Sequence, residues 1–174
     1  MKTFKSSEQI ALDMLGSTLV RVWEGKSIAL VINEVEIYDG HEDKASHAAR
    51  GETMRNFVMF GAPEHWYVYL SYGMHWMLNF VTREKGYPAA ILIRGGIIKG
   101  GEDDGRKVDG PGKLTKYLHI DKSLNTLKAE KKNGLYIKWR KKPLEGKIRK
   151  TPRIGIDSSG PIWGKKLLRY VIEF

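Results

Sequence analysis

Residues 33–38 carry two glutamates and a tyrosine at alternating positions, a pattern that could do acid–base chemistry. Successive side chains of a β-strand point to opposite faces, so Glu34, Glu36 and Tyr38 would share one face of such a strand. A carboxylate beside an aromatic ring could deprotonate a water molecule for hydrolysis. The same alternation is also typical of the solvent side of an edge strand, and this segment alone favours that simpler interpretation.

A second polar cluster follows, with His41, Glu42, Asp43 and His47 close together in sequence. Histidines and carboxylates are metal ligands, but their spacing here is not that of a helical H-E-x-x-H pair. A solvated loop is the more common outcome for such a stretch. We therefore expect no metal site.

Residues 66–76 contain tyrosines and tryptophans interrupted by Ser71-Tyr72-Gly73, which predicts an aromatic β-hairpin. Tyr67 and Tyr69 would share a face and could simply fill a core. Tyr72, however, would lie near the turn, where burial is hardest. An exposed aromatic side chain at a hairpin tip can stack between bases of nucleic acid.

The charge of the chain fits such a partner. Thirty Lys and Arg residues oppose 20 Asp and Glu, giving a formal net charge of +10. Positive potential concentrates polyanions, so nucleic acid is the first expectation, although a basic surface can also be functionally neutral. The absence of cysteine excludes disulfides, thiolate nucleophiles and thiolate zinc sites. The N-terminal residues lack a signal-peptide core and no long apolar run occurs, so we expect a soluble intracellular protein.

The elements that would position these residues are mostly strands. Ser7 is predicted to cap a first helix that Gly16 ends, and a second helix is predicted after residues 110–113, to about Leu118. Residues 39–61 and the glycine-rich, acidic stretch 95–105 are predicted to be loops; the latter lacks the ending of a P-loop, so no nucleotide site is expected there. The predicted strands are 19–23, 28–38, 66–70, 74–82, 89–94, 135–139, 153–156 and 169–172. We expect an α+β fold: one compact domain over residues 1–174, with a mostly antiparallel curved sheet flanked by helices and a protruding aromatic β-hairpin.

Together these segments resemble the alkyladenine (3-methyladenine, N-methylpurine) DNA glycosylase family. The E-x-E-x-Y block at 34–38 and the hairpin sequence at 67–74 are specific when they occur together. The similarity extends in the family's order from about Leu12 to Phe174. The other matching blocks are His47, Arg55-Asn56, Met59-Phe60, Asn79, 92–94, 110–114 and 152–156.

The resemblance implies a catalytic group of three residues. Glu36 corresponds to the family's general base, which deprotonates the attacking water. Arg94 and the backbone carbonyl of Ile154 correspond to the groups that hold this water beside Glu36. No residue matches an amine nucleophile, so the resemblance implies a monofunctional enzyme that needs no cofactor and leaves an abasic site.

The resemblance also implies how the substrate is bound. A purine flipped out of duplex DNA would stack between Tyr38 on one side and His47 and Tyr69 on the other, with Asn79 at the pocket floor. Tyr72 would intercalate where the base has left. Lys113, at a helix start, would bind a backbone phosphate. The further DNA contacts that the resemblance implies are Thr53, Arg55, Met74 and His75.

We accordingly expect a base-excision-repair enzyme that acts as a monomer on double-stranded DNA containing a damaged purine. It would be located in the cytoplasm or nucleoid, or in the nucleus of a eukaryote. Two alternatives remain open at this point. The chain could be a non-catalytic module of the same fold that binds damaged nucleic acid, or an enzyme acting on RNA or free nucleosides.

Overall fold

The computed structural model describes residues 5–173, which form one antiparallel sheet with three short helices and several single turns of 3-10 helix. The helices are α1 (Ser7–Met14), α2 (Pro111–Tyr117) and α3 (Gly160–Trp163). The strands are β1 (Thr18–Trp23), β2 (Lys26–Asp39), β3 (Trp66–Ser71), β4 (His75–Val81), β5 (Ala89–Ile98), β6 (Lys107–Asp109), β7 (Leu135–Lys138), β8 (Lys147–Thr151) and β9 (Arg169–Glu173). The predicted α+β class and the mostly antiparallel sheet are confirmed.

The long strand β2 lies at the centre of this sheet. One edge pairs with β5, and the other pairs first with β1 and then, at residues 34–36, with β9. The main strand order is β3-β4-β5-β2-β1-β7. In addition, β6 pairs with β5 and β8 pairs with β9. The interpretation of residues 33–38 as the solvent side of an edge strand is therefore wrong, because both edges of β2 are paired at residues 34–36 and both Glu34 and Glu36 are buried.

Side-chain alternation gives the sheet two different faces. The main core includes Val35 and Ile37 from β2 and Ile91 and Ile93 from β5. The helices α1 and α2 lie against this part of the sheet. On the other face, Tyr67 packs in a smaller cluster of buried residues with Ala48, Val58, Met59, Val81 and Ala90. Polar residues such as Glu36 alternate with core residues, so the pleat itself brings them to this second face.

Local sequence explains the helix ends and one hairpin. The first helix is capped by Ser6 rather than the predicted Ser7, since the Ser6 hydroxyl accepts from the backbone of Gln9 in a capping box. Ser7 is instead buried, with its hydroxyl 2.8 Å from that of Thr82. The strands predicted at 19–23 and 28–38 correspond to β1 and β2, which are joined by a turn with positive φ at Glu24 and Gly25. Such a turn matches the twist of the two strands.

Two predicted elements are wrong. The predicted loop 95–105 begins too early, because residues 95–98 complete β5. A Cβ at Gly96 would lie 3.0 Å from the carbonyl oxygen of Val31, so glycine here permits close strand approach. Residues 153–156 are irregular rather than a strand, since Arg153 turns into the protein interior and Gly155 has a φ of +74°.

The polar stretch 39–61 is irregular as predicted, apart from 3-10 turns at His47–Arg50 and Phe57–Phe60. Three short elements were not predicted, namely β6, β8 and α3. The two strands lack an apolar alternation, and the helix is only one turn long. Across residues 5–173, none of the helices has the length and apolar character needed to span a membrane.

Candidate active site

A pocket of about 440 Å³ opens on the second face of the sheet, beside the aromatic hairpin. Its wall draws on β2 to β5, on the loop after β2 and on the irregular segment after β8. The predicted site residues in this wall are Tyr38, His47, Arg55, Tyr69, Tyr72, Asn79, Arg94 and Ile154. These predicted residues lie far apart in the chain and meet around one pocket.

Glu36 lies directly behind this wall, and its side chain is fully buried. Its Oε1 accepts a hydrogen bond from the backbone N–H of Ile154 at 2.8 Å, and its Oε2 accepts one from the hydroxyl of Tyr38 at 2.9 Å. Arg94 Nη1 lies 3.4 Å from the same Oε2. A carboxylate has about four lone-pair positions. Among the described residues these three donors leave one lone-pair position of Oε1 without a donor.

Arg94 is itself held by a second buried carboxylate. Its Nε donates to Oε1 of Glu34 at 2.9 Å, and Arg169 Nε donates to the same oxygen at 2.6 Å. Glu34 is 2% exposed, so little water reaches this carboxylate. Its single negative charge partly offsets the two positive charges of the neighbouring guanidinium groups. Glu34 thus orients Arg94, which in turn reaches Glu36. Arg169 was not predicted as a site residue.

Another ion pair supports the pocket from outside its wall. The guanidinium of Arg153 makes a bidentate contact with Asp43, and neither side chain is exposed. The same guanidinium donates to the carbonyl of Ile37 and lies 4.5 Å from the centre of the Tyr38 ring. Burial of the Tyr38 side chain and, next, the negative charge of Glu36 raise the pKa of Tyr38. The phenol therefore stays protonated and remains a hydrogen-bond donor.

The opposite wall is aromatic. His47 Nδ1 lies 2.9 Å from the hydroxyl of Tyr67, and the His47 ring meets that of Tyr69 edge to face at 4.6 Å between centroids. Burial raises the pKa of Tyr69 to about 12. His47 is partly exposed to solvent, yet desolvation by its packed neighbours and, secondarily, the charge of Arg55 lower its pKa. At pH 7 the rings of this wall are therefore uncharged, while the guanidinium of Arg55 lies beside them.

Asn56 fixes the loop that carries His47. Its side-chain amide donates to the carbonyls of His47 and Gly51, both at 2.9 Å, while its Oδ1 accepts from the backbone N–H of Thr53 at 2.6 Å. Asn56 is 1% exposed, so these bonds are shielded from water. A loop without regular structure is thus held in one shape where it borders the pocket.

The predicted floor residue, Asn79, is buried on β4 and donates to the carbonyl of Tyr67 at 3.1 Å. It lies opposite Leu92 of β5 in the strand register. Both of these residues line the pocket. The structure accordingly places an amide group in the lining of the cavity, next to apolar and aromatic residues.

Tyr72 at the hairpin tip is 88% exposed and has a φ of +50°. Met74, next to it, is 71% exposed. Arg55 donates to the carbonyl of Leu70 at 2.8 Å and lies 5.2 Å from the Tyr69 ring, which ties the preceding loop to the hairpin. A bulky residue with positive φ is uncommon, and this one is also solvated.

Four of the predicted DNA contacts are not in the lining of this pocket, namely Thr53, Met74, His75 and Lys113. Lys113 is the one on a helix. It is in the first turn of α2 and borders a basic groove with Lys107 and Lys116, whereas Pro111 of the same helix lines the pocket. His75 packs against Gly112, so the helix start adjoins the hairpin. Thr53, like Arg55, is exposed on the loop beside the rim.

Asp43 and Arg153 were missed as site residues. Asp43 belongs to the polar cluster that sequence alone interprets as a loop, and Arg153 to the segment predicted as a strand. Within residues 5–173, no three histidine, aspartate or glutamate side chains are grouped so as to hold a metal ion.

Comparison with known proteins shows which family the chain resembles. Residues 2–174 match the family model described as methylpurine-DNA glycosylase (MPG). A protein of Methanocella arvoryzae is 45% identical over 163 residues, covering 87% of this chain and 80% of the relative. A protein of Ehrlichia chaffeensis is 40% identical over 165 residues, covering 95% and 89% respectively. Both carry the name "Putative 3-methyladenine DNA glycosylase".

Proposed function

The chain belongs to the methylpurine-DNA glycosylase family, and on this premise we propose that it excises alkylated or deaminated purines from duplex DNA by direct attack of water. It is a DNA glycosylase, a hydrolase of the N-glycosyl bond. The observation that carries the mechanism is the Glu36 carboxylate, held by Tyr38 and Ile154 directly behind an aromatic pocket. The product would be an abasic site.

A base within a duplex is inaccessible to such a carboxylate, so the nucleotide must first leave the helix. The pocket falls in the usual volume range of ligand sites. A flipped purine would stack between Tyr38 and the wall formed by His47 and Tyr69. Stacking contributes about 1–3 kcal/mol per base, and a purine made cationic by alkylation gains further attraction from the ring faces. Asn79 would contact the edge of the base at the floor.

In the reaction the bond from C1′ of the sugar to the purine nitrogen breaks, and its electron pair leaves with the base. An N-alkylated purine that carries a positive charge departs as a neutral molecule, whereas an uncharged purine departs as an anion and takes up a proton from water, so that one water molecule is consumed in either case. A water oxygen forms the new bond to C1′ while Glu36 accepts the water proton. The carboxylate also offsets the positive charge that develops on the sugar.

Arg94 and the peptide of Ile154 would hold the water. Arg94 reaches Glu36 from one side, and the N–H of Ile154 binds it from another. The carboxylate of Glu36 would accept one hydrogen bond from the water, and the carbonyl oxygen of Ile154 would accept the other. No lysine is among the described residues that line the pocket, which supports hydrolysis by water rather than attack by an amine.

Tyr72 would fill the gap left by the flipped nucleotide. It is the exposed tip of a hairpin whose base forms the pocket wall, and its backbone holds a conformation that a bulky side chain rarely adopts. Positive φ at Tyr72 and Gly73, as at Glu24 and Gly25, forms a tight hairpin turn that presents the Tyr72 side chain at the tip. Thr53, Arg55, Met74, His75 and Lys113 would contact the DNA around the pocket, with the enzyme acting as a monomer.

The decisive experiment compares wild type with Glu36→Gln on duplexes that contain one hypoxanthine, ethenoadenine or 7-methylguanine. Wild type should make the lesion strand alkali-labile, while Glu36→Gln should bind the duplex and release no base. Glu102→Gln, on an exposed loop, is the matched control and should behave as wild type. Full activity in Glu36→Gln would overturn the mechanism.

Two outcomes would support the other hypotheses. Tight binding of every lesion by wild type with no base released would indicate a non-catalytic binding module. Cleavage of free nucleosides, together with unchanged duplex activity in Tyr72→Ala, would indicate an enzyme that does not act on duplex DNA.

A further inference from the structure

The buried ion pair of Arg153 and Asp43 lies behind the wall of the pocket rather than in it. Arg153 is 4% exposed and its guanidinium lies 4.5 Å from the centre of the Tyr38 ring. Tyr38 lines the pocket and Arg153 does not, so the guanidinium covers the outer face of the ring. A base in the pocket would therefore share the Tyr38 ring with a permanent cation on the other side.

This arrangement has an electrostatic consequence. An aromatic ring attracts a cation through the negative potential of its face. A cation on one face repels a second cation approaching the other face, and the separation of about 8 Å corresponds to a tenfold or larger effect at an effective dielectric constant of about 20. Asp43 removes this repulsion, because its carboxylate pairs with both terminal nitrogens of Arg153.

The pair also positions the two groups that bind Glu36. Arg153 packs on Tyr38, whose hydroxyl donates to one carboxylate oxygen, and it directly precedes Ile154, whose N–H donates to the other. Asp43 accepts from the backbone N–H of Ala45 in the loop that leads to His47. A neutral hydrogen-bonded pair could supply this support, so the charges need a separate explanation.

Resting on the proposed function, we propose that the Arg153–Asp43 pair sets the tolerance of the pocket for positively charged bases. Asp43 is the determinant: by neutralising Arg153 it lets the Tyr38 ring accept a cationic purine. Both residues are positioning residues, since they act through Tyr38 and do not touch the base. The measured quantity is the ratio of excision activities on a cationic and a neutral lesion. Loss of structural support alone would lower both activities without a dependence on the charge of the base.

The test measures single-turnover excision at subsaturating enzyme for 7-methylguanine, which is cationic, and for hypoxanthine, which is neutral, in the same duplex sequence. The cationic-to-neutral ratio of each variant is divided by that of wild type. Asp43→Asn should lower this ratio about tenfold, because the Arg153 charge is no longer offset. The double variant Asp43→Asn/Arg153→Gln should restore it to near 1, even if both absolute rates fall.

A third variant makes the test independent of whether Asp43→Asn folds. Arg153→Gln leaves the Asp43 carboxylate without its cation, so its ratio should equal or exceed that of the double variant. Thermal unfolding of each variant identifies those that are folded. Equal ratios in wild type, Asp43→Asn and the double variant, or a ratio for Arg153→Gln below that of the double variant, would overturn the inference. If wild type excises neither lesion, it is the proposed function that fails.

Discussion

The hydroxyl of Tyr38 donates to Oε2 of Glu36 at 2.9 Å, although the two residues belong to the same strand and are separated by one position. Alternation places them on one face of β2, where Arg153 packs on the Tyr38 ring and the N–H of Ile154 binds Glu36. The proposed base-stacking residue and the proposed general base are therefore linked directly. A displacement of the Tyr38 ring should therefore change the position of the Glu36 carboxylate.

Tyr38→Phe should separate these two roles, since it keeps the ring and removes the hydroxyl. A hydrogen bond to a charged group contributes about 1.5–3 kcal/mol, so we expect the single-turnover rate of base excision to fall at least tenfold. The dissociation constant for lesion DNA should change little because stacking is retained. Quenched single-turnover assays measure the excision rate, and fluorescence anisotropy measures the dissociation constant.

Tyr170→Phe is the matched control for this variant. Its hydroxyl donates to Oε1 of Glu8 at 2.7 Å, and neither of these residues lines the pocket. The control removes a tyrosine–glutamate hydrogen bond of the same type and should leave the excision rate unchanged. Equal rates for Tyr38→Phe and wild type would show that the hydroxyl does not orient Glu36 for the reaction.

Much of this site could be predicted because it follows the strand pattern. Glu36 and Tyr38 on one strand, and Tyr67 and Tyr69 on another, lie on the face that alternation predicts. Family resemblance identified the loop residue His47, for which no periodicity exists. Such predictions need only the local direction of the side chain and a matching motif.

The remaining features depend on contacts between distant segments. Asp43 and Arg153 are 110 positions apart, and neither residue type reveals a buried partner in sequence. Residues 153–156 have the composition of a strand, yet the interior ion pair of Arg153 turns the chain away from the sheet. The strand residues 95–98 were missed for the opposite reason: glycines typical of loops were needed for close packing against β2.

Tyr72→Ala should reduce excision from duplex DNA without reducing stability. The side chain is 88% exposed, so the free energy of unfolding should change by less than about 0.5 kcal/mol. Loss of a stacked wedge corresponds to about 1–3 kcal/mol, so duplex excision should fall on the order of tenfold to hundredfold. Ile162→Ala, 71% exposed in α3, is the control. A smaller loss is expected on single-stranded substrate; equal activity of Tyr72→Ala and control on duplex would contradict intercalation.

Asn56→Asp should destabilise the loop that carries His47. Aspartate retains the acceptor for the Thr53 N–H but removes the two donors to the carbonyls of His47 and Gly51. Buried acceptors without donors cost about 1–3 kcal/mol each, so the free energy of unfolding should fall by about 2 kcal/mol or more in urea titrations.

Asn125→Asp provides the comparison for this change. The structure shows Oδ1 of Asn125 accepting from the backbone N–H of Val68 at 2.9 Å, a role that aspartate preserves. Its unfolding free energy should therefore fall much less. If both variants lose the same stability, the side-chain donors of Asn56 do not hold the loop.

His47 gives a prediction about pH. Desolvation, and secondarily the charge of Arg55, lower its pKa below the ordinary value of 6.5, so the neutral ring is favoured in the folded protein. The unfolded chain binds a proton more readily than the folded one in this range. The His47 contribution to stability is therefore fully present above pH 6.5 and is lost as the pH falls through the lower folded-state pKa.

NMR titration of the His47 ring protons should give a midpoint below 6.5 in wild type. Arg55→Gln should raise this midpoint only in part, because burial is the larger cause and remains in the variant. In urea unfolding, His47→Gln should weaken the loss of stability between pH 6.5 and 5 relative to wild type. A midpoint at or above 6.5, or an acid limb unchanged in His47→Gln, would contradict a neutral His47 ring. That neutrality matters for the proposed chemistry, since a protonated His47 would repel the cationic purines that the opposite wall is arranged to accept.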